Sequence, residues 1–224
     1  YLISAVNHMF PNIHISLEDV QSSWAGLRPL IHEEGKSASE LSRKDEIFVS
    51  DTELISIAGG KLTGYRKMAE RIVDLVGKKY NRRFDKEFGD IKTKEIVLSG
   101  GTFENASEVK IYTDAIQNRI AEVDFDRKDA EYLVHNYGKQ TDIILQKFDD
   151  LMHDNMQEKM IKAEVWFTLN YEMACNPTDF FMRRTGRLFF DASSVIFYKE
   201  YVLNLFKENF SWDEKTTENH QKEL

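Results

Sequence analysis

The sequence predicts an α+β protein, with a mixed α/β piece in its first half and an all-α second half. Three observations predict it. In "EIFVSDTELISIAG" (46–59), β-branched and aromatic residues occupy two arms around Ser50-Asp51, the pattern of a hairpin. Directly after it, Leu62, Tyr65, Met68, Ala69, Ile72, Val73 and Val76 recur at helical spacing, predicting a helix over about 62–79. From Asn105 onward the pattern is almost wholly helical, with six or seven amphipathic segments and no fixed-length repeat.

The elements follow in order. Leu2, Ile3, Val6 and Phe10 predict a helix over about 2–10 that stops at Pro11, and Ser16 with Asp19 suits a turn opening. "SSWAGLRPLI" (22–31) reads as a strand bounded by Pro29, because the residue before proline favours extended backbone. The polar "HEEGKSASELSR" (32–43) reads as a loop, and "KTKEIVLSGG" (92–101) as a strand with a Gly-Gly stop. In the second half, Asn105 with Glu108 and Ser211 with Glu214 fit capping boxes. Asp126 caps a helix over 127–137 that ends at Gly138, and Asn176-Pro177 places a cap before proline at the first helical position. The implied organisation is an incomplete mixed unit over 1–91, a linker over 92–104, and a helical domain over 105–224.

Composition narrows the function classes. The 224 residues are 42% hydrophobic and 30% charged, the balance of a globular protein with material for a core. No window approaches the ~18 consecutive apolar residues of a membrane-spanning helix. A net charge of −8 argues against nucleic acid as a partner, since such binding runs on phosphate neutralisation. The lone Cys175 has no internal disulfide partner, which suits a reducing cytosol. The chain opens at Tyr1 straight into helical apolar spacing, and so reads as the C-terminal part of something longer. The closing "QKEL" reads as a solvated tail and not as a retention signal, there being no secretory pattern at the other end.

The chemistry centres on "ISIAGGKLTGYRKMAE" (55–70). A strand ends on Gly59-Gly60, and Lys61 stands where the next helix begins. A cation is disfavoured there, because the helix dipole is already positive. Glycines permit close backbone approach, and the first-turn N–H groups point outward. The combination suits an anion or an electron-rich ring edge. A phosphate-binding Walker loop does not fit, because Ile55 and Leu62 hold the positions that motif gives to glycine and Ser/Thr. Arg28 at an expected strand end and Arg43 after the polar loop are two further cations. With Lys61 they would either converge on one phosphorylated substrate or serve as three unrelated surface charges.

Together these segments resemble a known family. "SSWAGLRPLI", "SRKDEI", "SIAGGKLTGYRKMAE" and "LSGG" are similar to the C-terminal portion of FAD-dependent glycerol-3-phosphate dehydrogenases, and "YEMACNPTDFFMRRTGRLFF" resembles the signature of their helical C-terminal domain. The resemblance runs over nearly the whole chain and is nearest to enzymes of low-GC Gram-positive bacteria. It implies that residues 1–91 complete an FAD- and substrate-binding domain. The implied reaction is oxidation of sn-glycerol 3-phosphate at C2 to dihydroxyacetone phosphate, with hydride passing to the flavin and electrons then to quinone. The implied location is cytoplasmic, peripheral on the inner face of the membrane. Carried over by motif, Arg28 contacts substrate oxygens at the reaction centre and Arg43 grips the phosphate. Lys61 lies near flavin and substrate, and the backbone from Gly59 and Gly60 through Leu62 and Thr63 meets the pyrimidine end of the flavin ring. The lysine would then stabilise charge arriving with the hydride.

Departures from the family pattern sharpen the reading. The G-x-G-x-x-G fingerprint is absent, and none of His8, His14 or His32 lies in a motif matching the family's histidine base. The chain alone is therefore expected neither to hold FAD tightly nor to turn over. Related oxidases carry a long insertion between the two arginines, and here that connection is only residues 29–42, which favours the quinone-linked dehydrogenase over the oxidase. A non-catalytic module derived from the same fold is the rival reading.

Several other segments have plainer readings. "KKYNRRF" (78–84) reads first as a helix end whose cations complement the dipole, and second as a surface for an anionic partner. Arg183, Arg184 and Arg187 read as partners of Glu172, Asp179 or Asp191 in preference to lipid or quinone contacts. The apolar 194–206 stretch reads as core or as a docking face, with membrane contact or a homodimer as the alternative. No metal-ligand spacing occurs, since Lys36 stands where H-E-x-x-H after His32 needs its second histidine.

Overall fold

The computed structural model describes residues 1–27, 31, 34–35, 44–152 and 155–224. The chain forms two compact units, one built from Tyr1–Trp24 with Val97–Leu224 and the other from Ala25–Ile96.

The smaller unit is built on an antiparallel pair, β1 (Asp45–Val49) and β2 (Ile55–Gly59), followed by the long helix α2 (Tyr65–Phe84). Ile47 faces Ile57 across the ladder, and Asp45 faces Gly59. The hairpin turn closes with the Ser50 amide donating to the Leu54 carbonyl at 3.0 Å, so the predicted hairpin and its turn are both present. Ile47, Ile55 and Ile57 are half-buried and alternate with exposed neighbours, the periodicity of a strand with one covered face. An Arg71–Asp45 ion pair ties α2 to β1, and Lys79 reaches Glu53 in the hairpin turn at 3.4 Å. Among the described residues of this unit none is fully buried.

The larger unit holds α1 (Leu2–Met9), α3 (Ala106–Ile120), α4 (Arg127–Tyr137), α5 (Thr141–Asp150), α6 (Met156–Tyr171), α7 (Arg187–Phe190), α8 (Ala192–Phe210) and α9 (Glu214–Glu223). Between α6 and α7 lies a π-helical turn, Asp179–Arg184. Local capping explains most of the starts. Asp126 accepts from the amides of Lys128 and Asp129 while Asp129 accepts from the Asp126 amide, a reciprocal box at the head of α4. Asn105 accepts from the Glu108 amide at 3.1 Å, and Asn176 accepts from the Asp179 amide at 2.8 Å. The predicted boundaries at Pro11, Asn105, Asp126 and Gly138 hold within a residue or two.

Helix α6 divides the core. Met160, Ala163 and Phe167 pack with Ile116, Leu133, Ile144 and Phe148 from α3, α4 and α5. Ile161 and Val165, on another face of the same helix, pack with Phe180, Phe181, Val202 and Phe206. A helix buried on both sides carries apolar residues around most of its circumference, as "MIKAEVWFTL" does.

Three expectations are corrected. Residues 22–27 form no strand; Ser22 instead donates its hydroxyl to the Phe189 carbonyl at 2.8 Å, and the Trp24 ring lies 4.7 Å from that of Phe189. The other residues of that predicted strand, 28–30, lie outside the described ones. Residues 92–101 also form no strand. They run as successive turns, with the Glu95 amide on the Lys92 carbonyl and the Gly101 amide on the Leu98 carbonyl, and among the described residues no strand pairs with them. Finally, Ser211 does not cap α9. It ends α8 in the left-handed region at φ 53°, and Asp213 caps α9 by accepting from the Thr216 amide at 2.8 Å. Trp212, stacked between Phe210 and His220, holds the chain in that corner.

Candidate functional site

The Gly-Gly-Lys turn links β2 to α2. Gly59 and Gly60 both have left-handed backbones, at φ 76° and 81°. A Cβ on Gly59 would stand 2.5 Å from the Lys44 carbonyl oxygen, and one on Gly60 would stand 2.8 Å from the Met68 sulfur. Torsion favours glycine at both positions, and at Gly59 the Lys44 backbone excludes a Cβ as well, whereas the Met68 side chain beside Gly60 can move aside. Lys61 is extended (φ −108°, ψ 144°) and heads a 3-10 turn, Leu62–Gly64, that runs directly into α2.

The Gly64 amide is the first to bond back, to the Lys61 carbonyl at 2.8 Å. The Leu62 and Thr63 amides precede it and have no backbone hydrogen bond among the described residues. Lys61, Leu62 and Thr63 are all exposed, and among the described residues no carboxylate or other acceptor pairs with the Lys61 ammonium. The turn thus gathers a cation, two first-turn amides and the positive end of a 20-residue helix. It can hold an anion or stabilise negative charge that develops on a ring edge.

Gly59, Gly60, Lys61, Leu62 and Thr63 are brought together as one turn. The other two site residues expected from the sequence, Arg28 and Arg43, lie outside the described residues, so their convergence with Lys61 is left open.

The most polar buried site lies elsewhere, on α6. The Glu164 side chain is fully buried and accepts from the Tyr132 hydroxyl at 2.7 Å, the Tyr137 hydroxyl at 2.9 Å and the Arg187 guanidinium at 2.9 Å. Arg187 also lies over the Tyr132 ring at 4.7 Å. Burial first, and then the neighbouring Glu164 charge, raise the pKa of both tyrosines well above the usual phenol value, so both stay donors. Burial opposes the charge on Arg187, and Glu164 outweighs it, so the guanidinium pKa is raised. The sequence signal for this cluster was a lone carboxylate inside the apolar run 160–169. The expected arginine pairings hold in large part: Arg183 meets Asp179 at 2.7 Å, Arg184 donates to the Glu172 backbone carbonyl at 2.9 Å, and Arg187 approaches Asp191 at 3.6 Å. Glu164 as the main partner of Arg187 was not foreseen.

Comparison with known proteins places these features. Residues 91–217 match the family described as the C-terminal domain of alpha-glycerophosphate oxidase. The chain belongs to that family. Across 227 aligned residues it is 44% identical to the aerobic glycerol-3-phosphate dehydrogenase of Bacillus subtilis (strain 168), covering all of this chain and 41% of that protein. It is 37% identical to the Staphylococcus saprophyticus enzyme of the same name, covering all of this chain and 40% of that one. A crystal structure of the glycerol-3-phosphate dehydrogenase from Bacillus halodurans complexed with FAD superposes with a TM-score of 0.82 at 40% identity, over the whole chain and 42% of its own length. The chain thus spans about two-fifths of the curated relatives it matches and corresponds to their C-terminal part. The alignment to the Bacillus subtilis protein covers all of this chain, and so the likeness extends beyond the domain match through the Gly-Gly-Lys turn.

Proposed function

We propose that this chain supplies the C-terminal part of an FAD-dependent sn-glycerol-3-phosphate dehydrogenase that passes electrons to quinone. In this reading residues 1–91 complete the FAD- and substrate-binding domain, 92–104 link it onward, and 105–224 form the helical domain. The whole enzyme works in the cytoplasm, peripherally on the inner face of the membrane. The observation that carries the reading is the turn at 59–63: two glycines at positive φ, two first-turn amides and a lysine that has no acceptor among the described residues, at a helix start. The names of the relatives agree with it.

The donor set fits a flavin, whose ring edge is electron-rich. FAD, when bound, supplies the hydride acceptor for oxidation at C2 of the substrate. The chain's own contribution is electrostatic and geometric. Lys61 would hold a positive charge beside the ring and the phosphorylated substrate, and the Leu62 and Thr63 amides would add their dipoles to it. Stabilisation that grows as hydride arrives lowers the barrier; stabilisation equal before and after does not. Arg28 contacts the substrate's oxygens at the reaction centre, and Arg43 takes its phosphate as a bidentate partner.

The test is Lys61→Ala in the full-length enzyme. Loss of one such donor typically costs ~2.7–4 kcal/mol, a slowing of roughly 10²–10³-fold. Anaerobic stopped-flow with sn-glycerol 3-phosphate should show flavin bleaching slowed on that scale. An unchanged bleaching rate would remove Lys61 from the reaction. The family's description also names an oxidase. Electron delivery to oxygen would appear as stoichiometric hydrogen peroxide in the aerobic assay, whereas the dehydrogenase reading expects reduction of an added quinone with little peroxide.

A further inference from the structure

The segment Tyr1–Trp24 joins the helical unit, although it lies far ahead of the matched family domain, which begins at residue 91. It is held at two places. The Asn7 side chain exchanges two hydrogen bonds with the Ile15 backbone, at 2.9 and 3.0 Å, as a neighbouring strand would. At the far end, the Ser22 hydroxyl donates to the Phe189 carbonyl at 2.8 Å. The Trp24 ring lies 4.7 Å from the ring of Phe189 and 6.3 Å from that of Phe190.

Helix α7 offers a fixed seat for that end. It has only four residues, and the chain breaks from helical torsion at Asp191 before α8 begins. Carbonyls in a last helical turn lack amide partners, and no backbone amide among the described residues reaches that of Phe189. The Ser22 hydroxyl meets that need. The helix is itself anchored: Arg187 at its head binds the buried Glu164 at 2.9 Å, and Leu188 packs against the cluster of Phe180, Val202 and Phe206.

Four residues of chain separate Trp24 from Arg28, a tether of at most about 14 Å. We propose that Ser22 and Trp24 are positioning residues for sn-glycerol 3-phosphate. By fastening their segment to α7 they fix where the chain bearing Arg28 begins, and the helical domain thereby takes part in substrate binding. An arginine gives up much side-chain freedom when it grips a ligand. If its backbone also has to be ordered, that cost is added to binding and the productive geometry is met less often. The inference rests on the substrate role proposed above for Arg28, and gives the helical half a task in it.

The test is kcat/KM for sn-glycerol 3-phosphate, per bound flavin, in the full-length enzyme, beside melting curves. Trp24→Ala should lower kcat/KM roughly ten- to a hundredfold. Trp24→Phe, which keeps a ring against Phe189, should recover most of the loss. Ser22→Ala should lower kcat/KM about fivefold, the effect of one hydrogen bond, and decides the matter if Trp24→Ala misfolds. Because the tryptophan acts through the arginine, adding Trp24→Ala to Arg28→Ala should lower kcat/KM little further. Wild-type kcat/KM per flavin in both anchor variants, whatever their melting temperatures, would overturn the proposal and leave Ser22 and Trp24 as packing alone. Losses that multiply in the double variant would overturn it too. An unimpaired Arg28→Ala would remove the arginine from the reaction, and this inference with it. An impaired Arg28→Ala beside unimpaired anchor variants would sink this inference alone.

Discussion

Glu164 is a carboxyl group with no access to water, held by two phenols and one guanidinium. Arg187 is its only cationic partner among the described residues, so the cost of losing either member is asymmetric. Arg187→Met leaves Glu164 buried without its countercharge and should cost ~3–5 kcal/mol. Arg187→Met combined with Glu164→Gln removes both charges and should recover much of that loss, because desolvation is no longer spent on an ion. Thermal denaturation of the four members of this cycle checks it; simple additivity would show that the pair is not coupled. At the same scale, the role of Gly60 was legible from the sequence as a need for close approach. That Met68 was the neighbour approached was not, since it depends on how α2 lies against the turn.

Between elements, two glycines set one joint. Gly100 and Gly138 both adopt left-handed backbones, and the Lys139 amide donates to the Gly100 carbonyl at 2.9 Å. A Cβ on either residue would press on the backbone of the other segment more closely than real Cβ contacts allow. Lys139 then lies between the Phe103 and Tyr112 rings, at 4.7 and 4.4 Å, and pairs with Glu108 at 3.4 Å. The turn before α3 is thereby pinned to the end of α4. Gly138→Ala meets both the torsional strain and this contact, and should destabilise the larger unit by about 1–3 kcal/mol. Urea unfolding followed by far-UV circular dichroism should show a lower midpoint with an unchanged slope. The sequence marked both glycines as stops, of a strand and of a helix. Their mutual contact is a long-range event that local pattern cannot carry.

Across the molecule, burial is concentrated in one unit. The fully buried side chains among the described residues all lie between Thr113 and Phe206, around the two faces of α6. The unit built on β1, β2 and α2 contributes none. Local stability follows buried contact, so amide protection should be highest in α4, α5, α6 and α8 and low in the hairpin and α2 when the 224-residue chain is studied alone. Hydrogen exchange read by mass spectrometry checks this, and uniform protection across both units would contradict it.

By itself the sequence determined what depends on neighbours within a few residues: the hairpin, the caps at Asn105 and Asp126, the helix stop at Gly138, and the Gly-Gly-Lys turn. Torsional preference, side-chain-to-amide bonds and periodicity all act over that distance. Only the tertiary structure decided that residues 22–27 and 92–101 are not strands, that Trp212 moves the α9 cap from Ser211 to Asp213, and that Glu164 gathers Tyr132, Tyr137 and Arg187. A strand needs a partner to complete its ladder, and a buried charge needs donors from distant helices. Neither condition is written in the local chain.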